Sequence, residues 1–226
     1  MMTGPDKEMV KEKREPGRRC SKMLQEVTFI YVFLMLAVYP FYFRNKYYDI
    51  GNAKWQFFFF LTAGMGAVLF GLLLFRIIEE WNPNEFKSAI KGIRLSVIDR
   101  FVLVYAATVL LSVLFSPYKE QIIWGYDGWY MGFASQMCFV LIYFCVSRYW
   151  RWDLPTVICC LAAAFLVFLL AVLMRFGIDP LAMYKGLEEQ YRIIFLSTIG
   201  QATWYSSYMV VLLPLGLFPF WFYDNI

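Results

Sequence analysis

Six stretches of uncharged, largely apolar sequence, each 17 to 22 residues long, constrain this chain more than any other feature. They are Val27–Phe43, Trp55–Phe75, Phe101–Tyr118, Gly128–Ser147, Leu154–Met174 and Ala202–Tyr223. About 20 apolar residues cross a hydrocarbon core about 30 Å thick. In lipid, every backbone N–H and C=O must find its partner within the protein, so the stretches are expected to be helices. The sequence therefore predicts an all-α fold, a polytopic transmembrane helix bundle of about six spans. Six helices and their connections nearly exhaust the 226 residues, leaving 23–226 as one membrane domain behind a tail at 1–22. A content of 61% hydrophobic and 21% aromatic residues fits no soluble domain.

Charge sets the expected orientation. With the N-terminus inside, fourteen of the 21 Lys and Arg residues fall on the cytoplasmic side and seven outside. The positive-inside rule favours that arrangement, with both termini cytoplasmic. The segment Met1–Lys22 is polar and basic, with Pro5, Pro16 and Gly17, and reads as a disordered cytoplasmic tail rather than a cleavable signal. Ile226 follows the sixth stretch by three residues, so the chain is expected to be the N-terminal part of a larger membrane enzyme. The five cysteines form no framework; four lie within spans, where cysteine acts as a small hydrophobe.

The connections carry their own signals. Gly64 and Gly71 lie seven apart on one helix face, a spacing that admits a close neighbour. Between the second and third stretches, Asn84–Val97 places Phe86, Ile90, Ile93 and Val97 at helical spacing among basic residues. That pattern predicts an amphipathic helix on the inner leaflet, with an ordinary solvated loop as the alternative. Gly128 and Gly132 form a GxxxG pair at the start of the fourth stretch. Asp179 followed by Pro180 predicts a capped short helix over Leu181–Gln190.

Chemistry has few places to sit. The chain has no histidine, and so lacks the commonest general base. No metal site, nucleotide loop or nucleic-acid patch is visible, and no cofactor is expected. The best candidate is the entry to the sixth stretch. Thr198 and Gln201 have the spacing of a capping box, and a helix start with unpaired N–H groups suits a phosphate. Gly200 would let a ligand approach the backbone, and Arg192 lies a few residues upstream. The same residues also read as a plain helix cap with an arginine reaching for lipid headgroups.

The run RIIFLSTIGQATWYSSYMVVLLPLGL, Arg192–Leu217, resembles the signature region of the O-antigen ligase and polymerase-like membrane proteins. The matches are Arg192, Gly200, Tyr205, Tyr208 and Leu213–Pro214–Leu215. The segment SPYKEQIIWGYDGWYMGF is similar to that family's first outer loop through Ser116, Gly125 and Gly132. Two departures are Gln201 and Thr203 at the family's Asn positions, and Trp129 where an Arg often precedes the second Gly.

The resemblance implies a metal-independent glycosyltransferase of the bacterial cytoplasmic membrane. Its partners would be membrane lipids and an undecaprenyl-diphosphate-linked glycan, used at the outer face in cell-surface polysaccharide assembly. Arg192 would hold the donor diphosphate, Gly200 and Gln201 would bring the helix start against it, and Arg175 would assist. Two other readings stay open. A transporter or flippase fragment would be expected to carry ionisable groups inside the membrane, and these stretches contain none. A non-catalytic scaffold needs only the packing glycines and aromatic belts.

Overall fold

The computed structural model describes residues 20–79 and 95–222. The structure is mostly helical, 72%. Among the described residues, four segments are long and apolar enough to cross a membrane: Cys20–Phe41, Ile50–Phe75, Val97–Phe115 and Leu154–Arg175. They mark the chain as a membrane protein with the architecture of a helical bundle. The helices are α1 (20–33), α2 (Ile50–Glu79), α3 (Val97–Phe115), α4 (Phe133–Tyr149), α5 (Leu154–Arg175) and α6 (Ala202–Phe222). Two strands of two residues each, β1 (Phe195–Leu196) and β2 (Gly200–Gln201), pair antiparallel just before α6. The chain divides into two compact units, Met1–Tyr31 with Phe59–Arg151, and Val32–Phe58 with Trp152–Ile226.

In the first unit, α1 and α2 meet through polar groups as well as packing. The Tyr31 and Thr62 hydroxyls share a hydrogen bond of 2.9 Å, and Thr62 is fully buried. Cys20, Ser21 and Lys22, the last three residues of the expected tail, are already helical, while 1–19 lie outside the described residues. The glycine expectation for α2 is corrected. A Cβ on Gly64 or Gly71 would meet nothing within 4 Å, whereas one on Gly66 would sit 2.6 Å from Leu141 Cδ2 of α4. The close approach is made two residues away from the predicted face.

Most of the segment expected to lie on the inner leaflet, 84–94, is outside the described residues; Val97, its last residue, is the first of α3. Ser96 caps α3 in a reciprocal box with Asp99: the Asp99 N–H donates to Ser96 Oγ at 3.1 Å, and the Ser96 N–H to Asp99 Oδ2 at 2.8 Å. The same carboxylate accepts from the Tyr143 hydroxyl at 2.8 Å and from Arg148 at 3.4 Å, tying the start of α3 to the end of α4. The S-x-x-D spacing was present in the sequence, but the partners from α4 were not.

The fourth apolar stretch starts as a loop rather than a helix. Gly125 (φ 86°), Gly128 (φ 87°) and Tyr130 (φ 47°) are left-handed, a conformation that stops helix growth. α4 is therefore 17 residues long, about 25 Å at 1.5 Å per residue, and the Gly128/Gly132 pair is not a helix face. Gly132 caps α4 without a side chain. The orphan N–H groups of Phe133 and Ala134 donate instead to the Ile122 and Ile123 carbonyls, both at 2.9 Å.

In the second unit, Pro40 shapes the end of the first span. A proline has no N–H and its ring collides with the carbonyl four residues back. The chain answers with a widened turn over Leu34–Val38, closed by the Tyr39 N–H on Leu34 O, then a tight turn over Tyr39–Phe41. The Tyr39 carbonyl, which also accepts the Tyr42 N–H, and the Pro40 carbonyl each accept from Lys54 Nζ at 3.1 Å. The sequence placed Lys54 in a connecting loop; it is instead a buried residue in the first turns of α2, which begins at Ile50. α5 starts at an Asp153 cap on the Thr156 N–H, and packs Cys160 and Ala164 against Leu212 of α6.

Candidate functional site

The candidate residues of the second unit lie on the connection from α5 to α6. α5 ends in a Schellman turn: Ile178 N–H reaches Leu173 O at 2.9 Å and Gly177 N–H reaches Met174 O at 3.2 Å, with Gly177 at φ 81°. Arg175 thus sits in the last turn, where a cation complements the helix dipole. No α-helix follows over Leu181–Gln190, contrary to the capping expectation. The Asp179 carboxylate does accept backbone N–H groups, but from Met183 at 2.9 Å and Tyr184 at 2.7 Å. Ala182 (φ 51°) and Gly186 (φ 87°) are left-handed, so the segment folds as consecutive turns.

Those turns deliver Tyr184 to an aromatic hub. Its ring lies 5.6 Å from Tyr47, which stacks on Phe195 at 4.8 Å. The Tyr184 hydroxyl donates to Phe195 O at 2.9 Å, and the Tyr47 hydroxyl to Ser197 O at 2.6 Å. Tyr47, Ile50, Met174 and Met183 form the buried core below. Burial pushes the Tyr47 phenol up, with Tyr184 and Asp179 adding to it. Burial also raises Tyr184; the guanidiniums of Arg175 and Arg192 pull the other way, and Asp179 raises it further. Both arginines therefore act on one phenol from positions 17 residues apart in sequence.

Arg175 Nη2 also donates to Ile193 O at 3.5 Å, which holds it against the segment carrying Arg192. Arg192 follows the tight turn Glu189–Tyr191 and is solvent-exposed. Exposed guanidiniums of this kind can receive an anion through paired N–H donors.

The other two candidates are placed differently. Gly200 is buried at φ 112°, and a Cβ there would sit 3.3 Å from Ile50 Cγ2. Its glycine is needed for that backbone angle and that neighbour, rather than for ligand access. Gln201 pairs with Phe195 in the hairpin, and the Thr198 hydroxyl is buried without a hydrogen-bond partner, so the predicted capping box does not form. The α6 start is instead satisfied by the Ala202 N–H on Ile194 O at 2.8 Å. Tyr47, Tyr184 and Asp179 were missed as site-builders, because the aromatic hub joins residues more than 130 positions apart.

Tyr47→Phe keeps the ring but strands the buried Ser197 carbonyl. It is expected to cost about 1–3 kcal/mol, read as a lower unfolding midpoint in lipid nanodiscs. An unchanged midpoint would mean that the hydroxyl carries no part of the hub.

No protein-family model, no curated protein and no solved structure matches this chain.

Proposed function

We propose that this chain binds the diphosphate of an undecaprenyl-linked glycan at the Arg175–Arg192 surface, as an O-antigen ligase or polymerase-like glycosyltransferase would. The observation that carries the reading is the Arg175 hydrogen bond to the Ile193 carbonyl, one residue from Arg192; the charges of both guanidiniums also pull the Tyr184 phenol down against its burial. In a transfer reaction the leaving diphosphate gains charge as the anomeric bond breaks, and prearranged cations stabilise it there.

Six spans with both termini cytoplasmic would put this surface at the outer face of a bacterial cytoplasmic membrane. The uneven distribution of basic residues supports that topology. A cysteine introduced at Lys185 should react with a membrane-impermeant maleimide from outside intact cells; labelling only after lysis would reverse the orientation.

Binding is tested with the chain in neutral-lipid nanodiscs. Undecaprenyl diphosphate should be retained, undecaprenyl alcohol should not, and inorganic pyrophosphate should compete. Retention should weaken between about 0.05 and 0.5 M salt, since exposed charges are screened over that range. Equal retention of diphosphate and alcohol would overturn the reading.

A further inference from the structure

The first unit contains a cavity of about 500 Å³, bounded by α3, the loop after it and the start of α4. That volume lies in the range of small-molecule sites. Its fourteen lining residues include no charged side chain. One wall is a single face of α3, where Tyr105, Val109, Ser112 and Val113 recur at helical spacing, continued by its C-cap residue Ser116. α3 is the least covered of the candidate spans, with 6% of its apolar window buried within the protein. Hydroxyls on such a helix are costly against hydrocarbon, so their gathering at one cavity calls for polar partners.

The opposite wall supplies more hydrogen-bonding groups. Gln136 is held in place, accepting from the Tyr105 hydroxyl and donating through Nε2 to Met131 O at 3.1 Å. Ser116 Oγ accepts from the Tyr118 N–H at 3.1 Å, leaving its own proton to donate. The Ser112 hydroxyl, the Gln121 amide and the Tyr126 hydroxyl make no hydrogen bond to another described residue. Val109, Val113 and Phe133 provide apolar surface between these groups.

We infer that this cavity is a binding site for a neutral carbohydrate unit of one or two sugar rings. Hydroxyls and a side-chain amide match sugar hydroxyls in both directions, as donors and acceptors, while the phenylalanine and tyrosine rings face sugar C–H surfaces. An acyl chain would leave the polar groups unpaired, and an anion would find no cation to offset its desolvation. The choice of a carbohydrate over another neutral polyol rests on the glycan reading above. The site itself shares no residue with the Arg175–Arg192 surface.

The test uses saturation-transfer NMR on the whole chain in nanodiscs. The probes are neutral disaccharides (chitobiose, lactose and maltose) and, as an anionic counterpart, a uronic-acid disaccharide. At least one neutral disaccharide should receive saturation and the anionic one should not. Gln121→Leu, on an exposed loop, should weaken the signal about fivefold. Val113→Trp, which fills the cavity, should abolish it, while an unfolding midpoint in nanodiscs close to that of the wild type shows that the variant is folded. Arg192→Ala should leave the sugar signal unchanged. No signal from any neutral probe, an undiminished signal in Val113→Trp, or preference for the anionic probe would overturn the inference. Sugar binding without diphosphate retention would remove the arginine reading alone.

Discussion

Gly132→Ala is expected to be the most damaging single-methyl change in the described structure. A Cβ at this position would sit 2.5 Å from the Trp124 carbonyl carbon and 2.6 Å from Ile123 O, and closer still to the Gly125 nitrogen. These are backbone atoms, so no side-chain rotation relieves them. The obstructed contact is the one that satisfies the first N–H groups of α4, through Ile122 O and Ile123 O. Overpacking costs about 1–3 kcal/mol, and a collision with main chain belongs at the upper end, about 3 kcal/mol. Gly128→Ala is the control. Gly128 has φ 87° but nothing within 4 Å of its Cβ position, so only the left-handed penalty of about 1 kcal/mol applies. Unfolding midpoints in nanodiscs should rank wild type above Gly128→Ala, and Gly128→Ala well above Gly132→Ala. Equal midpoints for the two variants would show that the loop does not close against Gly132.

Arg192→Ala is expected to weaken undecaprenyl diphosphate binding more than tenfold while leaving the unfolding midpoint unchanged. The side chain is exposed and makes no hydrogen bond to another described residue, so its loss costs the fold little. A charge-assisted hydrogen bond to a phosphate is worth about 1.5–3 kcal/mol, and 1.4 kcal/mol is a factor of ten. Arg192→Lys should recover part of the affinity, since an ammonium keeps the charge but not the planar fork. Arg175→Ala should weaken binding and also lower the midpoint, because Arg175 additionally bonds Ile193 O and ends α5. If Arg192→Ala binds as tightly as wild type, the arginine is a headgroup anchor and the proposed donor site is withdrawn.

Helices were legible wherever the rule was local. The apolar stretch at Leu154–Met174 becomes α5 almost residue for residue, because a run without charges must satisfy its own backbone in lipid, and because Asp153 and Gly177 mark its ends chemically. The fourth stretch was just as free of charge but lost its first turn and more to two left-handed residues, Gly128 and Tyr130. Composition alone cannot register such a change, since apolarity specifies burial in lipid and not backbone angle.

Of the candidate site, the sequence by itself singled out Arg192, as a cation just before the sixth apolar stretch; Arg175 entered only through the family resemblance. It could not place Arg175 against the Ile193 carbonyl, because that depends on Asp179 redirecting the chain into turns and on Tyr47 meeting Tyr184 and Phe195 from far away in the sequence. It also misassigned the glycines. Gly64 and Gly71 had the right spacing and face open space, while Gly66 meets Leu141, and Gly200 meets Ile50 rather than a ligand. Spacing along a helix fixes which residues share a face. Which face is filled, and by what, depends on the side chain that a distant segment presents there, and only tertiary packing decides that.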